Sequence, residues 1–219
     1  MKILLVSATR TEILPLIKKF REISGKGTLT SYRFGSHSID ILITGIGMTR
    51  TAFYLGKTLN KKYDLAINAG ISGSFRKNIP LGSVVNVASD CFSEFGAEDG
   101  NEFLIADKIG IGKTGIRYQV SGIRKISKAI SMMKKVKGIT VNTVHGNNES
   151  IRKVIKKFNP DIETMEGAAF FFACNEEKTS CLQIRSISNY VERRNKKNWK
   201  INLAIERLNV ALEQLIRSV

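Results

Sequence analysis

The chain has 219 residues, and 42% of them are hydrophobic, so it can bury a sizeable core and is not intrinsically disordered. No apolar run approaches the roughly 20 residues that a membrane-spanning helix requires, which predicts a soluble protein with no membrane partner. The formal net charge of +16 is compatible with nucleic-acid binding, because a basic surface neutralises phosphates.

Apolar runs alternate along the chain with amphipathic segments, which is typical of an α/β fold. The predicted elements are, in chain order, a strand at 3–7, a helix at 12–23, strands at 28–34 and 38–44, a helix at 49–59, strands at 65–68 and 84–88, a helix at 120–137, a strand at 139–143, a helix at 150–158, a helix within 161–172, a strand at 181–187 and a helix from Ile201. Residues 69–74 are predicted to form a turn and residues 89–115 an irregular stretch. We find no linker or repeat, so we predict a single α/β domain over 1–219, with a central mixed sheet flanked by helices.

Basic residues are concentrated in the segments 124–137, 152–157 and 193–200. In the first two segments they alternate with Ile and Val at helical spacing, which is typical of a solvated helix face. No helix-turn-helix, zinc pattern or base-stacking aromatic motif accompanies them. We therefore expect no nucleic-acid partner, although a basic nucleic-acid-binding protein remains the alternative from a different functional class.

The three cysteines are Cys91, Cys174 and Cys181. Their number is odd, their spacing is wide, and no metal-ligand pattern joins them. Free thiols in a reducing cytoplasm are the simplest interpretation, so we predict a cytoplasmic location, no metal and no cofactor.

The segment 161–172 places Glu163 and Glu166 directly before a run of Gly, Ala and Phe that is typical of a core. A buried carboxylate costs several kcal/mol unless it is paired or hydrogen-bonded, so a polar group should face one of these acids. In an enzyme that group is often a substrate hydroxyl. The structural alternative is an acid in the first turn of a helix, where the macrodipole favours negative charge.

Ligands of α/β sheets bind beyond the carboxyl ends of the strands. The segments that follow predicted strands are 8–12, 45–48, 69–73, His145, 164–166 and 188–189. They contain carboxylates, an amide and small residues that let a ligand approach the backbone, Ser72 and Gly73 among them. They lack a Cys/His pair, a Walker loop and a metal cluster, so we expect one pocket that binds a small molecule. His145 is a candidate ligand contact, or alternatively a surface or core histidine.

Several motifs together carry a resemblance to a known family. They are Ser-Ala-Thr-Arg-Thr-Glu at 7–12, Thr-Gly-Ile-Gly at 44–47, Asn-Ala-Gly-Ile-Ser-Gly at 68–73, Glu-Thr-Met-Glu-Gly-Ala-Ala at 163–169 and Arg-Ser-Ile-Ser at 185–188. Over nearly its full length the chain resembles the nucleoside phosphorylase/nucleosidase superfamily. The segments 94–100 and 188–192 resemble the futalosine hydrolase branch of that superfamily.

The resemblance implies roles for individual residues. Glu12 matches the acid that activates water, and Met165 with Glu166 matches the ribose-binding pair. Arg185 and Ser188 match residues that flank the base and water sites. The same resemblance implies a homodimer or higher homo-oligomer.

Asn189 departs from the related methylthioadenosine/S-adenosylhomocysteine nucleosidases, which have an Asp that donates a proton to the base. An amide cannot release a proton, but its NH2 group can donate hydrogen bonds to N7 and to a 6-oxo group. Asn189 is therefore predicted to assist catalysis by hydrogen-bonding a leaving hypoxanthine, and the leaving group is stabilised either by these hydrogen bonds or by protonation from solvent.

Water is the expected acceptor, because residues 65–69 contain no arginine to bind a phosphate. The predicted reaction is hydrolysis of the N-glycosidic bond of futalosine, a step of menaquinone biosynthesis that releases hypoxanthine and dehypoxanthine futalosine. The alternative is a nucleosidase for another purine nucleoside, such as inosine or methylthioadenosine/S-adenosylhomocysteine.

Overall fold

A large β-sheet organises the chain, and the computed structural model describes residues 1–59, 63–117 and 130–219. The strands there are β1 (Lys2–Ser7), β2 (Arg21–Lys26), β3 (Leu29–Phe34), β4 (His37–Ile43), β5 (Leu65–Ser74), β6 (Val84–Cys91), β7 (Gly96–Asp99), β8 (Glu102–Ile105), β9 (Gly115–Arg117), β10 (Lys134–Thr140), β11 (Ile162–Thr164) and β12 (Cys181–Tyr190). The helices are α1 (Arg10–Ile17), α2 (Met48–Thr58), α3 (Ala106–Ile109), α4 (Asn148–Phe158), α5 (Gly167–Glu176) and α6 (Ile201–Arg217). None of the helices in those ranges combines the length and the apolar character that crossing a bilayer requires.

The sheet mixes parallel and antiparallel pairs in the strand order β11-β10-β6-β12-β5-β1-β4-β3-β2, with β9 added to β6. The central strands β4, β1, β5 and β12 are parallel, whereas β2, β3 and β4 form an antiparallel meander. β11 pairs with β10 and also with the end of β5. The five strands β5, β12, β6, β10 and β11 therefore form a closed ring of paired strands. The predicted mixed sheet flanked by helices is confirmed.

Different helices cover the two faces of the sheet, because side chains alternate along each strand. On β1, Ile3 and Leu5 pack in the cluster that contains α1 and α6, whereas Leu4 and Val6 pack in the cluster that contains α2 and α5. β1 is thus buried on both faces, as its unbroken apolar run predicts. This arrangement brings the start of α1, directly after β1, to the carboxyl edge of the sheet.

The helix predicted at 12–23 is shorter than its apolar pattern suggested. α1 ends at Ile17, and residues 21–26 form β2 at the edge of the sheet. Phe20 continues the apolar spacing and is buried, but its amide donates to the carbonyl of Ile17, only three residues earlier. The periodicity identified the core residues correctly but not the end of the helix.

Strand pairing corrects two predicted irregular segments. The turn predicted at 69–74 is the second half of β5, which pairs with β12 as far as Ser74. The stretch 89–115 contains the end of β6, the hairpin β7–β8, and α3. For residues 69–74, hydrogen bonds to the distant strand β12 outweigh the local preference of small residues for turns, whereas the hairpin β7–β8 is a local structure that the sequence analysis missed.

The basic segments differ in structure. Residues 134–137, predicted to end a basic helix, begin β10, where exposed lysines surround buried Val136. Residues 120–129 of that predicted helix lie outside the described ranges. The segment 152–157 lies in α4, with its basic side chains exposed and Val154 buried, so the prediction of a solvated helix face is confirmed there.

Candidate active site

A cavity of about 400 Å³ opens at the carboxyl ends of β1, β5, β11 and β12. Its lining includes eight of the predicted site residues: Glu12, Ser72, Gly73, His145, Met165, Glu166, Ser188 and Asn189. The ninth, Arg185, does not line the cavity, because its side chain is 1% exposed and lies beneath the floor. The strand ends therefore converge on one pocket, whereas the roles of the individual residues remain predictions.

Glu12 occupies the first turn of α1 and is held by four hydrogen bonds. Its Oε2 accepts from the amide and the hydroxyl of Thr9, at 3.0 and 2.8 Å, and from Ser7 Oγ at 3.3 Å. Its Oε1 accepts from the amide of Ile71 at 3.0 Å. Oε1 thus keeps a lone pair on the cavity side, from which it can accept a proton.

Asn209 of α6 fixes the backbone of Glu12. Its Nδ2 donates to the Glu12 carbonyl at 2.8 Å, and its Oδ1 accepts from the Leu16 amide at 2.9 Å. Those two backbone groups pair with each other in a regular α-helix, so the Asn209 amide bridges one turn of α1. The position of Glu12 therefore depends on a residue near the C-terminal end, which no local pattern indicates.

Arg185 is a buried cation held by polar side chains of the sheet. Its Nε donates to Gln183 Oε1 at 3.1 Å, and its Nη2 donates to Asn68 Oδ1 in a short hydrogen bond. A Cβ on Gly70 would collide with Arg185 Nη1 and would lie 2.9 Å from Glu12 Oε1. A glycine at this position therefore lets the guanidinium and the carboxylate approach the same point.

Glu166 directly precedes α5, beside Met165, and is buried against the cavity. Its Oε1 accepts from the amide of Gly47 at 3.1 Å, and its Oε2 lies 3.8 Å from Arg185 Nη2. Burial raises the pKa of the Glu166 carboxyl, although Arg185 and the Gly47 amide act in the opposite direction. Desolvation is thus the larger influence, and a ligand hydroxyl could supply a further stabilising hydrogen bond.

A β-bulge directs two consecutive residues of β12 into the cavity. Ile187 pairs with Ser72 and Asn189 pairs with Gly73, so Ser188 has no partner residue in β5. Ser188 Oγ lies 2.8 Å from Asn189 Oδ1 and orients that amide. The buried hydroxyl of Ser72 has no hydrogen-bond partner among the described residues. Because buried hydroxyls are normally satisfied, a ligand is the natural partner for Ser72.

Glu163 also reaches the cavity, although sequence reasoning preferred Glu166 as the functional acid. Its carboxylate lies 2.8 Å from His145 Nδ1, and it accepts from the His145 amide at 3.3 Å. The sequence analysis named it as one of two acids that need a polar partner, and that partner is His145. The partner is 18 positions away along the chain, so the pairing itself was not predictable.

Asp90 in β6 does not line the cavity but holds residues that support it, and the sequence analysis did not predict this role. It accepts hydrogen bonds from Thr140 Oγ1 at 2.9 Å and from Gln183 Nε2 at 3.1 Å. Thr140 Oγ1 in turn accepts from the amide of Ala168 in α5 at 2.7 Å. Burial raises the pKa of Asp90 to about 6, against the influence of these hydrogen bonds and of Arg185. Asp90 therefore connects the guanidinium with the start of the helix that follows Glu166.

The cavity lining is acidic. Among the described residues it carries the carboxylates of Glu12, Glu163, Glu166 and Glu192 and a single Lys or Arg, Arg194. This balance favours a ligand that donates hydrogen bonds, such as a sugar, over a phosphate dianion. In the described part of the chain no three His, Cys, Asp or Glu side chains are grouped to hold a metal ion.

Comparison with known proteins gives consistent matches over the whole chain. A family model described as the phosphorylase superfamily matches residues 2–219. The futalosine hydrolase of Streptomyces coelicolor is 27% identical over 184 residues, covering 80% of this chain and 77% of that protein. The futalosine hydrolase of Thermus thermophilus is 24% identical over 180 residues, covering 80% of each.

Two solved structures from Helicobacter pylori share the fold. A futalosine hydrolase mutant has a TM-score of 0.84 at 17% identity, with full coverage of both chains. The 5′-methylthioadenosine/S-adenosylhomocysteine nucleosidase with butyl-thio-DADMe-Immucillin-A has a TM-score of 0.84 at 17% identity, covering 100% of this chain and 99% of the other. At these identities the two structures establish the fold alone.

Proposed function

The chain belongs to the phosphorylase superfamily, and from that premise we propose that it hydrolyses the N-glycosidic bond of futalosine. The products would be hypoxanthine and dehypoxanthine futalosine, in menaquinone biosynthesis. The observation that carries the proposal is the placement of Glu12 Oε1 at the cavity, next to Gly70 and the buried Arg185. The curated relatives named futalosine hydrolase support the choice of substrate.

Cleavage of the bond builds positive charge on the sugar and negative charge on the base. Glu12 takes a proton from a water molecule as the water attacks the anomeric carbon. Its remaining hydrogen bonds, from Thr9, Ser7 and Ile71, hold the carboxylate in place during the transfer. Glu166 accepts hydrogen bonds from the ribose hydroxyls, which compensates part of the cost of its burial.

Water is the proposed acceptor because the lining disfavours phosphate. Four carboxylates surround the cavity, and Arg185 is already occupied by Gln183, Asn68 and Glu166. A phosphorolytic site needs cations that are free to meet a dianion. The rate of base release should therefore not depend on added phosphate.

The direct test incubates the purified protein with futalosine and follows hypoxanthine by liquid chromatography, with and without phosphate. We expect release that is independent of phosphate. No release at micromolar enzyme would overturn the proposal, and release that requires phosphate would overturn its hydrolytic part.

Hydrolysis of another purine nucleoside is the second candidate, and Asn189 distinguishes the two. Its amide can donate to a 6-oxo purine, whereas an acid in its place could protonate a 6-amino purine. Asn189→Asp should shift the ratio of kcat/KM for methylthioadenosine over futalosine upwards by about 10-fold or more, the value of one good hydrogen bond. The measurement compares adenine and hypoxanthine release. Asn101→Asp, in the exposed β7–β8 turn, is the matched control, and an unchanged ratio in Asn189→Asp would contradict the assignment.

We also propose that the protein acts as a homodimer or higher homo-oligomer. Phe53, Phe95 and Phe172 are each more than 40% exposed, and Phe95 and Phe172 line an open cavity of about 800 Å³. Ile46, which lines the active cavity, is 57% exposed, so an apolar rim adjoins the site. Such a patch is typical of a protein interface. Sedimentation velocity of the wild type and of Phe172→Glu tests this, and a monomeric wild type would refute it.

Two further parts of the proposal concern organisation and location. Residues 1–219 are proposed to act as one nucleosidase domain. A cytoplasmic location is consistent with the described residues Cys91, Cys174 and Cys181 forming no disulfide, because thiols stay reduced in that compartment.

A further inference from the structure

A histidine and a glutamate at one end of the cavity are not used by the reaction described so far. We propose that His145, oriented by Glu163, is the general acid that protonates the departing base, an inference that rests on the proposed nucleosidase function. His145 Nδ1 lies 2.8 Å from Glu163 Oε2, and the His145 amide donates to the same carboxylate at 3.3 Å. One carboxylate thus fixes both the ring and the backbone of the histidine.

The pair lies beside the amide that sequence analysis assigned to the base. Glu163 of β11 pairs with Gly73 of β5, and Gly73 pairs with Asn189 of β12, so the three residues lie in one row across three strands. A Cβ on Gly73 would lie 3.5 Å from Glu163 Cγ and 3.3 Å from Asn189 Nδ2. The absence of a side chain at Gly73, where a Cβ would also lie 3.0 Å from Val191 Cγ2, therefore lets Glu163 and Asn189 approach each other closely at one end of the cavity.

The ring of His145 lines the cavity and keeps one nitrogen available to a ligand. Because Nδ1 faces Glu163, Nε2 is the nitrogen that can meet a ligand, and no described residue is hydrogen-bonded to it. The ring packs edge-on against Phe75, with centroids 6.1 Å apart, and the side chain is 15% exposed. A histidine fixed by a carboxylate and open on its other nitrogen is the arrangement that acid–base catalysis uses.

The chain needs a proton donor at this point because Asn189 cannot release a proton. Among the side chains that line this end of the cavity, His145 can both hold and donate one, and Glu163 holds its ring in place through Nδ1. Asn189 then acts as a hydrogen-bond donor that orients the base. Proton donation and base orientation are thus divided between two residues.

The step balances. Water adds to the anomeric carbon and gives its proton to Glu12, while the C–N bond breaks and its electron pair passes to the base. The imidazolium of His145 gives a proton from Nε2 to a ring nitrogen of the base, which leaves neutral. Glu12 then releases its proton to solvent, and His145 recovers one from solvent.

A leaving-group comparison tests the proposal. His145→Gln and Glu163→Gln are assayed with futalosine and with p-nitrophenyl riboside, whose nitrophenolate leaves without protonation. We expect His145→Gln to lower kcat for futalosine by about 100-fold or more, the usual contribution of a general acid, with a much smaller change for the nitrophenyl riboside. Glu163→Gln should show the same selectivity to a lesser degree. The matched control is His37→Gln, since His37 lies at the start of β4 and contacts the N-terminal amine.

A second readout is the pH profile of kcat. The wild type should lose rate on the alkaline side as the imidazolium deprotonates, and His145→Gln should lack this limb. An equal loss on both substrates, or an unchanged profile, would show that His145 only packs against the ligand and would overturn the proposal.

If the wild type cleaves another purine nucleoside but not futalosine, the substrate assignment fails while the same comparison on that nucleoside still decides the role of His145. If the wild type cleaves no nucleoside, both the proposed nucleosidase function and the proposed role of His145 are refuted.

Discussion

Replacing Glu12 by glutamine is expected to lower kcat for nucleoside cleavage by about 1,000-fold, within the range that general-base catalysis contributes. The amide cannot accept the proton of the attacking water, so the lost interaction belongs to the transition state. Binding of the nucleoside should change little, because the ribose contacts are assigned to Glu166. The measurement is the steady-state rate of hypoxanthine release, with kcat and KM determined separately.

A loss of kcat in Glu12→Gln must be distinguished from a loss of folded protein. In Glu12→Gln the new NH2 group faces either the donors Thr9 and Ser7 or the amide of Ile71, so some loss of stability is also expected. Thermal unfolding of the variant shows whether it is folded at the assay temperature. Glu22→Gln, on the exposed edge strand β2, should retain full activity. A folded Glu12→Gln enzyme with a kcat near that of the wild type would exclude Glu12 as the base.

Elements with a simple burial period were predictable from the sequence. The run from Ile3 to Val6 is apolar at every position, and β1 is buried on both faces. In α4, Ile151 and Val154 are buried while the intervening basic residues are exposed. Local periodicity reflects burial directly in these cases, so it predicts the element and its orientation.

Other elements depend on partners that are distant in sequence. The small residues from Ala69 to Ser74 favour a turn locally, yet they extend β5 because β12 pairs with them as far as Ser74, with one bulge at Ser188. The bulge at Ser188 is likewise a property of two strands and not of one. It brings both Ser188 and Asn189 to the cavity, which strand alternation alone would not predict.

The polar supports of the site were the least predictable feature. The motifs identified Glu12, Glu166 and Asn189, whereas Asp90 and Glu163 gain meaning only from their neighbours in space. Asp90 was placed in an irregular stretch, although it is buried in β6 and accepts hydrogen bonds from side chains of two other strands, β10 and β12. A single sequence shows which residues carry chemical groups, but it does not show which buried groups face one another.

Arg185→Met is expected to lower the free energy of unfolding by about 3–5 kcal/mol, because removing one partner of a buried pair leaves the other charge uncompensated. Arg185 stabilises the ionised forms of both Asp90 and Glu166, whose carboxyl pKa values burial raises. Without the guanidinium both pKa values rise further. The loss of stability should therefore be smaller at low pH, where the carboxyls are protonated in the folded and unfolded states, and should grow as the pH rises.

Urea unfolding at several pH values measures this effect, and a double-mutant cycle identifies its cause. Arg185→Met combined with Glu166→Gln removes a charge that the single variant leaves buried, so the double variant should lose less stability than the sum of the two single variants. Arg217→Met, which removes an exposed partner of Glu213, is the matched surface control and should have a much smaller effect. If Arg185→Met were as stable as the wild type at every pH, Asp90 and Glu166 would not depend on Arg185 as their counter-ion. A loss that does not change with pH would instead indicate that Arg185 contributes through packing and hydrogen bonds rather than through its charge.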